Sequence, residues 1–91
     1  MPVAFVVPAP FDERGWRVKI RDRERVEPPH VTLLHTTRSW RFGLRELHFL
    51  DTHPPARYVP VVLVVWLVAH AAEFTAAWND LYPENPVNSQ E

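Results

Sequence analysis

The chain contains no cysteine and only two glycines, Gly15 and Gly43, among its 91 residues. Without cysteine it can form no disulfide and has no thiolate to act as a nucleophile or a metal ligand, which favours a cytoplasmic protein. Two glycines cannot build a glycine-rich phosphate loop, and the sequence has no nucleophile elbow, kinase signature or zinc-protease motif. We therefore expect no cofactor and no metal.

A strong net charge is also missing, since the formal charge at pH 7 is −1. Residues 1–51 hold nine of the ten Lys and Arg residues and seven of the eleven acids, which leaves them at +2, and residues 52–91 carry −3. This balance is far from the strongly basic composition of a dedicated nucleic-acid domain. It predicts a mildly basic first part followed by an acidic end.

The longest hydrophobic run is too short for a membrane span. From Val61 to Ala72 every residue except His70 is apolar, but these twelve residues fall short of the roughly 20 that a bilayer requires. The first residues lack the basic start of a signal peptide and are interrupted by proline. We expect no membrane association.

The segment from Val59 to Tyr82 predicts one long C-terminal helix. Pro60 suits a first helical turn and Pro83 a stop. Six residues follow one another at steps of three and four and so share one face: Leu63, Leu67, His70, Phe74, Trp78 and Leu81. A buried strand remains the alternative for the first half, because valine-rich runs also suit strands.

Four valines fall largely outside that face: Val61, Val64, Val65 and Val68. A domain of this size covers only one side of such a helix, so the valines predict an interface with a second surface. The partner would be another copy of the chain, in a homo-oligomer, or a small cognate protein.

Alternating residues predict the strands of an antiparallel sheet. The expected strands are Val3 to Val7 at an edge, Trp16 to Val26, His30 to Thr36 and Trp40 to Leu44, with Leu47 to Leu50 a further strand or a helical turn. The expected fold is α+β, a sheet of three to four strands packed on the helix. Residues 1–83 would form the single domain, and residues 84–91 a flexible polar tail.

The same alternation separates two faces of the sheet. Six residues are expected to face the helix: Trp16, Val18, Ile20, Trp40, Phe42 and Leu44. The opposite face would carry a basic row of Arg17, Lys19, Arg21, Arg23, Arg25, Arg41 and Arg45. Such a row could bind RNA phosphates; the alternative is a solvated face with ion pairs to Asp12, Glu13 or Glu46.

His30 follows two prolines and is the candidate catalytic residue. Its near-neutral titration suits general acid–base chemistry, whereas the alternative is a turn cap bonded to the backbone. Other donors lie nearby in sequence, without recognised metal-ligand spacing: His35, His48, Asp51 and His53. His70, on the apolar helix face, is expected to be a hydrogen-bonded core histidine.

Three runs in order, GWRVKIRDRERVEPPHVTLL, WRFGL and WLVAHAAEFTAAW, cover about residues 15–82. Together they resemble a bacterial family known as domain of unknown function 4160. The matching features are a Pro28-Pro29-His30 turn between two strands and a last helix that ends in Ala77-Trp78. Thr32 stands where relatives often carry a second histidine, and this helix is more apolar than usual.

The resemblance implies a component of a toxin–antitoxin pair, encoded beside a small partner gene. Two hypotheses follow. In the first, the chain is an interaction module that uses its apolar helix, with RNA contact through the basic row. In the second, it is an RNA-cleaving toxin in which His30 is the general acid or base.

Overall fold

A computed structural model describes residues 3–21 and 27–87 of the chain. Four strands come first, β1 (Val3–Phe5), β2 (Trp16–Ile20), β3 (His30–His35) and β4 (Arg38–Gly43). A short 3-10 turn at Ala56–Tyr58 then leads into helices α1 (Val61–Ala69) and α2 (Ala71–Leu81). The strands form one antiparallel sheet in the order β1-β2-β3-β4. The predicted α+β class, with its antiparallel sheet and C-terminal helical segment, is confirmed.

The register places the large apolar residues of the strands on one face. Val18 pairs with Phe5 on one side and with Leu33 on the other, and Leu33 pairs in turn with Trp40. All six residues predicted to face the helix are buried, and they form one core with Leu63, Leu67, Phe74 and Trp78. The rings of Phe5 and Phe74 meet edge to face with centroids 4.7 Å apart. The helices therefore cover the face that alternation predicted.

The strand ends differ from the prediction where turns are tighter than expected. Thr36 and Thr37 alone connect β3 to β4, with Thr36 at a φ of 56°, so β4 begins at Arg38. It ends at Gly43 because the chain turns at residues 44–46. Between residues 47 and 50 only Phe49 pairs, in an isolated bridge with Phe42. The second half of the expected strand Trp16 to Val26 lies mostly outside the described residues.

The prediction of one long helix is wrong, because α1 and α2 meet at a bend of 61°. His70 leaves the helical conformation, with φ −105° and ψ 13°, and its Nδ1 donates a hydrogen bond of 2.9 Å to the carbonyl of Trp66. Its ring also packs beside those of Trp66 and Phe74, at centroid distances of 4.9 and 6.4 Å, and these two rings contact each other at 5.6 Å. Side-chain bonding to the backbone and packing inside the bend account for the break. His70 is half-buried and hydrogen-bonded, as expected.

Within the described residues, neither helix alone has the length and apolar character to cross a bilayer; only the bent pair together passes that test, on length and composition.

The segment after α2 packs back on the domain as far as Val87. The indole Nε1 of Trp78 donates a 2.7 Å hydrogen bond to the carbonyl of Asn85, and Nδ2 of Asn85 donates one of 2.8 Å to the carbonyl of Glu27. The backbone N–H of Val87 donates to Oδ1 of Asn79. The tail predicted to begin at Glu84 is therefore attached to the domain over residues 84–87.

Candidate functional site

The outer side of α1 exposes a group of valines, here called the valine face: Val61, Val62, Val65 and Val68. Their side chains are 75, 60, 61 and 44% exposed. Val61, Val65 and Val68 are spaced by four and three residues and so lie on one side of the helix, with Val62 beside them. Leu63 and Leu67, on the other side, are fully buried. The first helix thus has one side in the core and an equally apolar side in solvent.

Three of the four predicted interface valines belong to this face, and Val64 does not. Val64 is half-buried and packs against the core, whereas Val62 is exposed and was not predicted. Leu63 and Leu67, the residues of α1 predicted to face the core, are buried there. Val64 lies three residues before Leu67 and therefore borders the buried side of α1, whereas Val62 lies on the exposed side.

No charged residue occurs within α1, and the nearest ones flank it. Arg57 precedes the valine face and Glu73 follows it, and both are exposed. Neither makes an ion pair with another residue of the described ranges, although the guanidinium of Arg57 lies 5.4 Å from the ring centroid of Tyr58. The apolar surface is therefore bounded by a cation at one end and an anion at the other.

The open face of the sheet carries a smaller basic group than predicted. Arg17 and Lys19 of β2 lie across from Leu34 and Thr32 of β3, and Thr32 lies across from Arg41 of β4. Arg17 and Lys19 make no ion pair or hydrogen bond with other residues in the described ranges. These two side chains are the cations of this face that remain available for an anionic ligand.

Arg41 lies on the same face but is bound by two carboxylates. Its Nη2 and Nε donate to Asp51 at 2.9 and 3.2 Å, and its Nη1 lies 3.5 Å from Oε1 of Glu27. The hydrogen bond to Asp51 raises the pKa of Arg41, and the same bond lowers the pKa of Asp51. The positive charge of Arg41 is thus largely neutralised within the protein.

The remaining cations of the predicted row are dispersed or undescribed. Arg45 lies in the turn after β4, and its Nη2 donates a 3.0 Å hydrogen bond to the carbonyl of Pro86, near the end of α2. Arg21 follows β2, and its carbonyl accepts a hydrogen bond from the hydroxyl of Tyr82. Arg23 and Arg25 lie outside the described residues. Within the described residues, Arg17 and Lys19 are the members of the row that lie within β2, Arg21 follows them at the end of the strand, and Arg41 is bound to Glu27 and Asp51.

His30 is fully buried at the start of β3. Its Nδ1 donates a 2.7 Å hydrogen bond to the carbonyl of Pro28, and its ring centroid lies 5.5 Å from that of Trp78. Its Nε2 lies 3.8 Å from Oε1 of Glu27. An enclosed ring bonded to the preceding turn matches the turn-capping interpretation, since a catalytic base must reach its substrate within hydrogen-bonding distance.

The other histidines make separate contacts. The ring of His35 stacks on that of Trp16 at 4.1 Å, and its Nε2 donates to the carbonyl of Arg14. His48 bonds the carbonyl of Phe49. Over residues 3–21 and 27–87, no three His, Asp or Glu side chains are arranged to hold one metal ion.

Two further features of the sheet were not predicted. The hydroxyl of Thr32 is buried between the β2 and β4 neighbours Lys19 and Arg41, and it has no hydrogen-bond partner in the part of the chain that the structure describes. A cleft of about 210 Å³ lies along β1 and β2, where Arg17 and Lys19 contribute to its lining together with Phe5 and Trp16. This volume is below the roughly 300–1,000 Å³ of sites that enclose drug-sized ligands.

Comparisons of the chain with protein-family models, with curated proteins and with solved structures found no match. The family resemblance of the three motifs stays a prediction.

Proposed function

We propose that this protein is a non-enzymatic interaction module that binds a protein partner through its valine face. The observation that carries the proposal is the exposure of Val61, Val62 and Val65, at 60–75%, on a helix without a single charge. Scattered apolar residues are normal on protein surfaces, but contiguous apolar patches mark sites of interaction. Four valines within two turns of one helix form such a patch.

Burial of this face would contribute favourably to association. Fully burying an exposed valine side chain is worth about 1.5 kcal/mol or more, and each valine here would contribute the fraction that is still exposed in the folded chain. A partner surface of similar character would add a comparable amount, set against an association cost of at least about 4 kcal/mol in lost freedom of motion.

The polar groups of the molecule support binding better than catalysis. His30 is enclosed, and Arg41 and Asp51 satisfy each other. The described cleft is small and contains no paired nucleophile and base. These features support a module whose function depends on its surface.

Site-specific photo-cross-linking in cells that carry the native operon tests the proposal. A photoreactive residue at Val65 should form a discrete protein adduct, whereas the same residue at exposed Thr37, in the turn between β3 and β4, should form none. No adduct at Val65, or identical adducts at both positions, would refute a binding role for the valine face.

RNA contact is a second candidate function, supported by the two uncommitted cations Arg17 and Lys19. Each phosphate contact makes binding salt-dependent, and removing one should reduce the salt slope by about 1. Affinity of the chain for single-stranded RNA should fall with salt, and the Arg17→Ala and Lys19→Ala substitutions should each flatten this dependence. Arg38→Ala, which removes a cation stacked at 4.7 Å on Tyr58, is the matched control. If neither Arg17→Ala nor Lys19→Ala changes RNA binding or its salt dependence, this surface is excluded as the RNA-binding site.

Membership of a toxin–antitoxin pair in the cytoplasm belongs to the same proposal and rests on the motif resemblance and the cysteine-free sequence. The valine face would then bind the cognate protein or a second copy. The alternative of an RNA-cleaving toxin requires the enclosed His30 ring to become accessible. Cleavage of RNA by the purified chain that is abolished in a folded His30→Gln variant would support that alternative.

A further inference from the structure

We infer that the occupant of the valine face is a second copy of this chain, packed antiparallel to the first across a two-fold axis near Val65. The inference rests on the proposed function and adds the identity and the orientation of the partner. Most soluble oligomers are symmetric homodimers, whose two-fold interfaces use the same patch on both subunits. A patch suited to this use must be complementary to itself.

The first argument is the uniform chemistry of the face. Residues 61–69 contain no charge, and their one side-chain hydrogen-bonding group is the indole N–H of Trp66, which is half-buried against the core. The four valines themselves offer no hydrogen-bonding group by which a polar partner would be recognised. Apolar surfaces of this kind are typical of homodimer interfaces, which are more hydrophobic than transient ones. β-branched valines spaced by four and three residues also suit the pairing of two helices.

The second argument is the arrangement of the flanking charges. Arg57 lies in the 3-10 turn before α1 and Glu73 lies in the first turn of α2, so the two exposed charges flank α1 at opposite ends. In an antiparallel pair, the start of one α1 lies beside the end of the other. Arg57 of each copy then lies toward Glu73 of the other copy. This pairing of opposite charges occurs twice, once at each end of the interface.

A parallel pair would have the opposite electrostatics. Arg57 would lie beside Arg57 and Glu73 beside Glu73, and like charges at an interface are unfavourable. The dipoles of the two α1 helices also point in opposite directions in the antiparallel arrangement. The positive end of one helix then lies near the negative end of the other, which is favourable. Both charge patterns therefore select the antiparallel dimer.

Sedimentation equilibrium of the purified full chain, from micromolar to near-millimolar concentration, tests the inference. The wild-type chain should approach twice its monomer mass of 10.7 kDa as concentration rises. Val65→Lys should remain monomeric throughout, because it places a charge at the centre of the interface. Ala76→Lys, at an exposed position of α2, is the matched control and should dimerise like the wild type. Circular dichroism establishes that each variant is folded.

Charge reversal tests the orientation. Arg57→Glu and Glu73→Arg should each raise the dissociation constant by roughly threefold to tenfold, as expected for two exposed ion pairs. The double variant should recover the wild-type value, because its charges are again complementary in the antiparallel pair. Double-variant dimers as weak as those of the single variants would refute the antiparallel arrangement.

The outcomes separate this inference from the proposed function. A wild-type chain that stays monomeric, while Val65 cross-links to a protein of a different mass in cells, refutes the second copy and leaves the interaction module standing. A monomer without any Val65 adduct refutes both. A dimer that persists in the folded Val65→Lys variant refutes the valine face as its interface.

Discussion

Asp51 accepts hydrogen bonds from both the side chain and the backbone of Arg41. The guanidinium Nη2 and the backbone N–H each lie 2.9 Å from a carboxylate oxygen, and Nε lies 3.2 Å from both oxygens. Leu50 reinforces the connection, since its N–H donates to the carbonyl of Arg41 at 2.8 Å. The pair therefore fixes the segment after Phe49 along the outer edge of β4.

Replacing Asp51 with asparagine should lower the free energy of unfolding by about 1 kcal/mol at neutral pH. The estimate is modest because the Arg41 side chain is 37% exposed and solvent screens the pair. The difference should depend on pH, because the hydrogen bonds from Arg41 hold the pKa of Asp51 below its ordinary value. Such a group stabilises the fold above its unfolded-state pKa of about 3.9, and this stabilisation is lost as pH falls through the folded-state pKa.

Urea denaturation of both proteins at about pH 7 and about pH 3 checks this expectation. The difference in free energy of unfolding between the wild type and Asp51→Asn should be present at the higher pH and should become smaller at the lower pH. Asp80→Asn, at an exposed acid that makes no ion pair within the described residues, should change stability by less than about 0.5 kcal/mol. A gap that widens in acid would contradict the direction of the Asp51 pKa shift.

Replacing Thr32 with valine should stabilise the protein by about 1 kcal/mol, because it removes a buried hydroxyl that has no partner among residues 3–21 and 27–87 and keeps the shape of the side chain. The midpoint of urea denaturation should rise without a change in slope. Thr37→Val, in the exposed turn, should leave the midpoint nearly unchanged. Loss of stability in Thr32→Val would show that the hydroxyl is hydrogen-bonded in solution.

Alanine substitutions at Leu67 and Val65 distinguish the buried side of α1 from its exposed side. Leu67→Ala should destabilise the fold by about 3 kcal/mol, because the fully buried side chain leaves a cavity. Val65→Ala should change the stability of the dilute monomer by less than about 0.5 kcal/mol, since alanine has the higher helix propensity. Equal losses in both variants, measured by chemical denaturation at low concentration, would place Val65 in the core and contradict the exposed valine face.

A structural role for His30 predicts a loss of stability when it is changed. His30→Ala should lower the free energy of unfolding by about 2–3 kcal/mol, because it removes the bond to Pro28 and the packing on Trp78. His53→Ala, at an exposed position, is the control. Undiminished stability in His30→Ala would favour a functional reason for the histidine over a structural one.

The two faces of the sheet could be predicted because local alternation decides them. Trp16, Val18 and Ile20 alternate with cations, and only one register buries all three. The helical segment was also evident from its spacing, but the break at His70 was not. Neither proline nor glycine occurs anywhere between Val61 and Tyr82, so no helix-breaking residue marks the position of the bend. The bend arises from how the His70 side chain packs and hydrogen-bonds in the folded protein.

The cluster that Arg41 forms with Glu27 and Asp51 on the open face of the sheet could not be predicted, for a different reason. Glu27 and Asp51 are fourteen residues before and ten residues after Arg41. Their meeting depends on two turns whose geometry no residue signal fixed, including the left-handed conformation of Leu47 at a φ of 59°. Long-range ion pairs of this kind follow from the path of the chain between strands, which periodicity does not determine.

The end of α2 holds the chain on both sides of the β2–β3 connection. The hydroxyl of Tyr82 donates to the carbonyl of Arg21, and the amide of Asn85 donates to the carbonyl of Glu27. The segment that follows α2 therefore joins the helical layer to the sheet at two points, one just after β2 and the other just before β3.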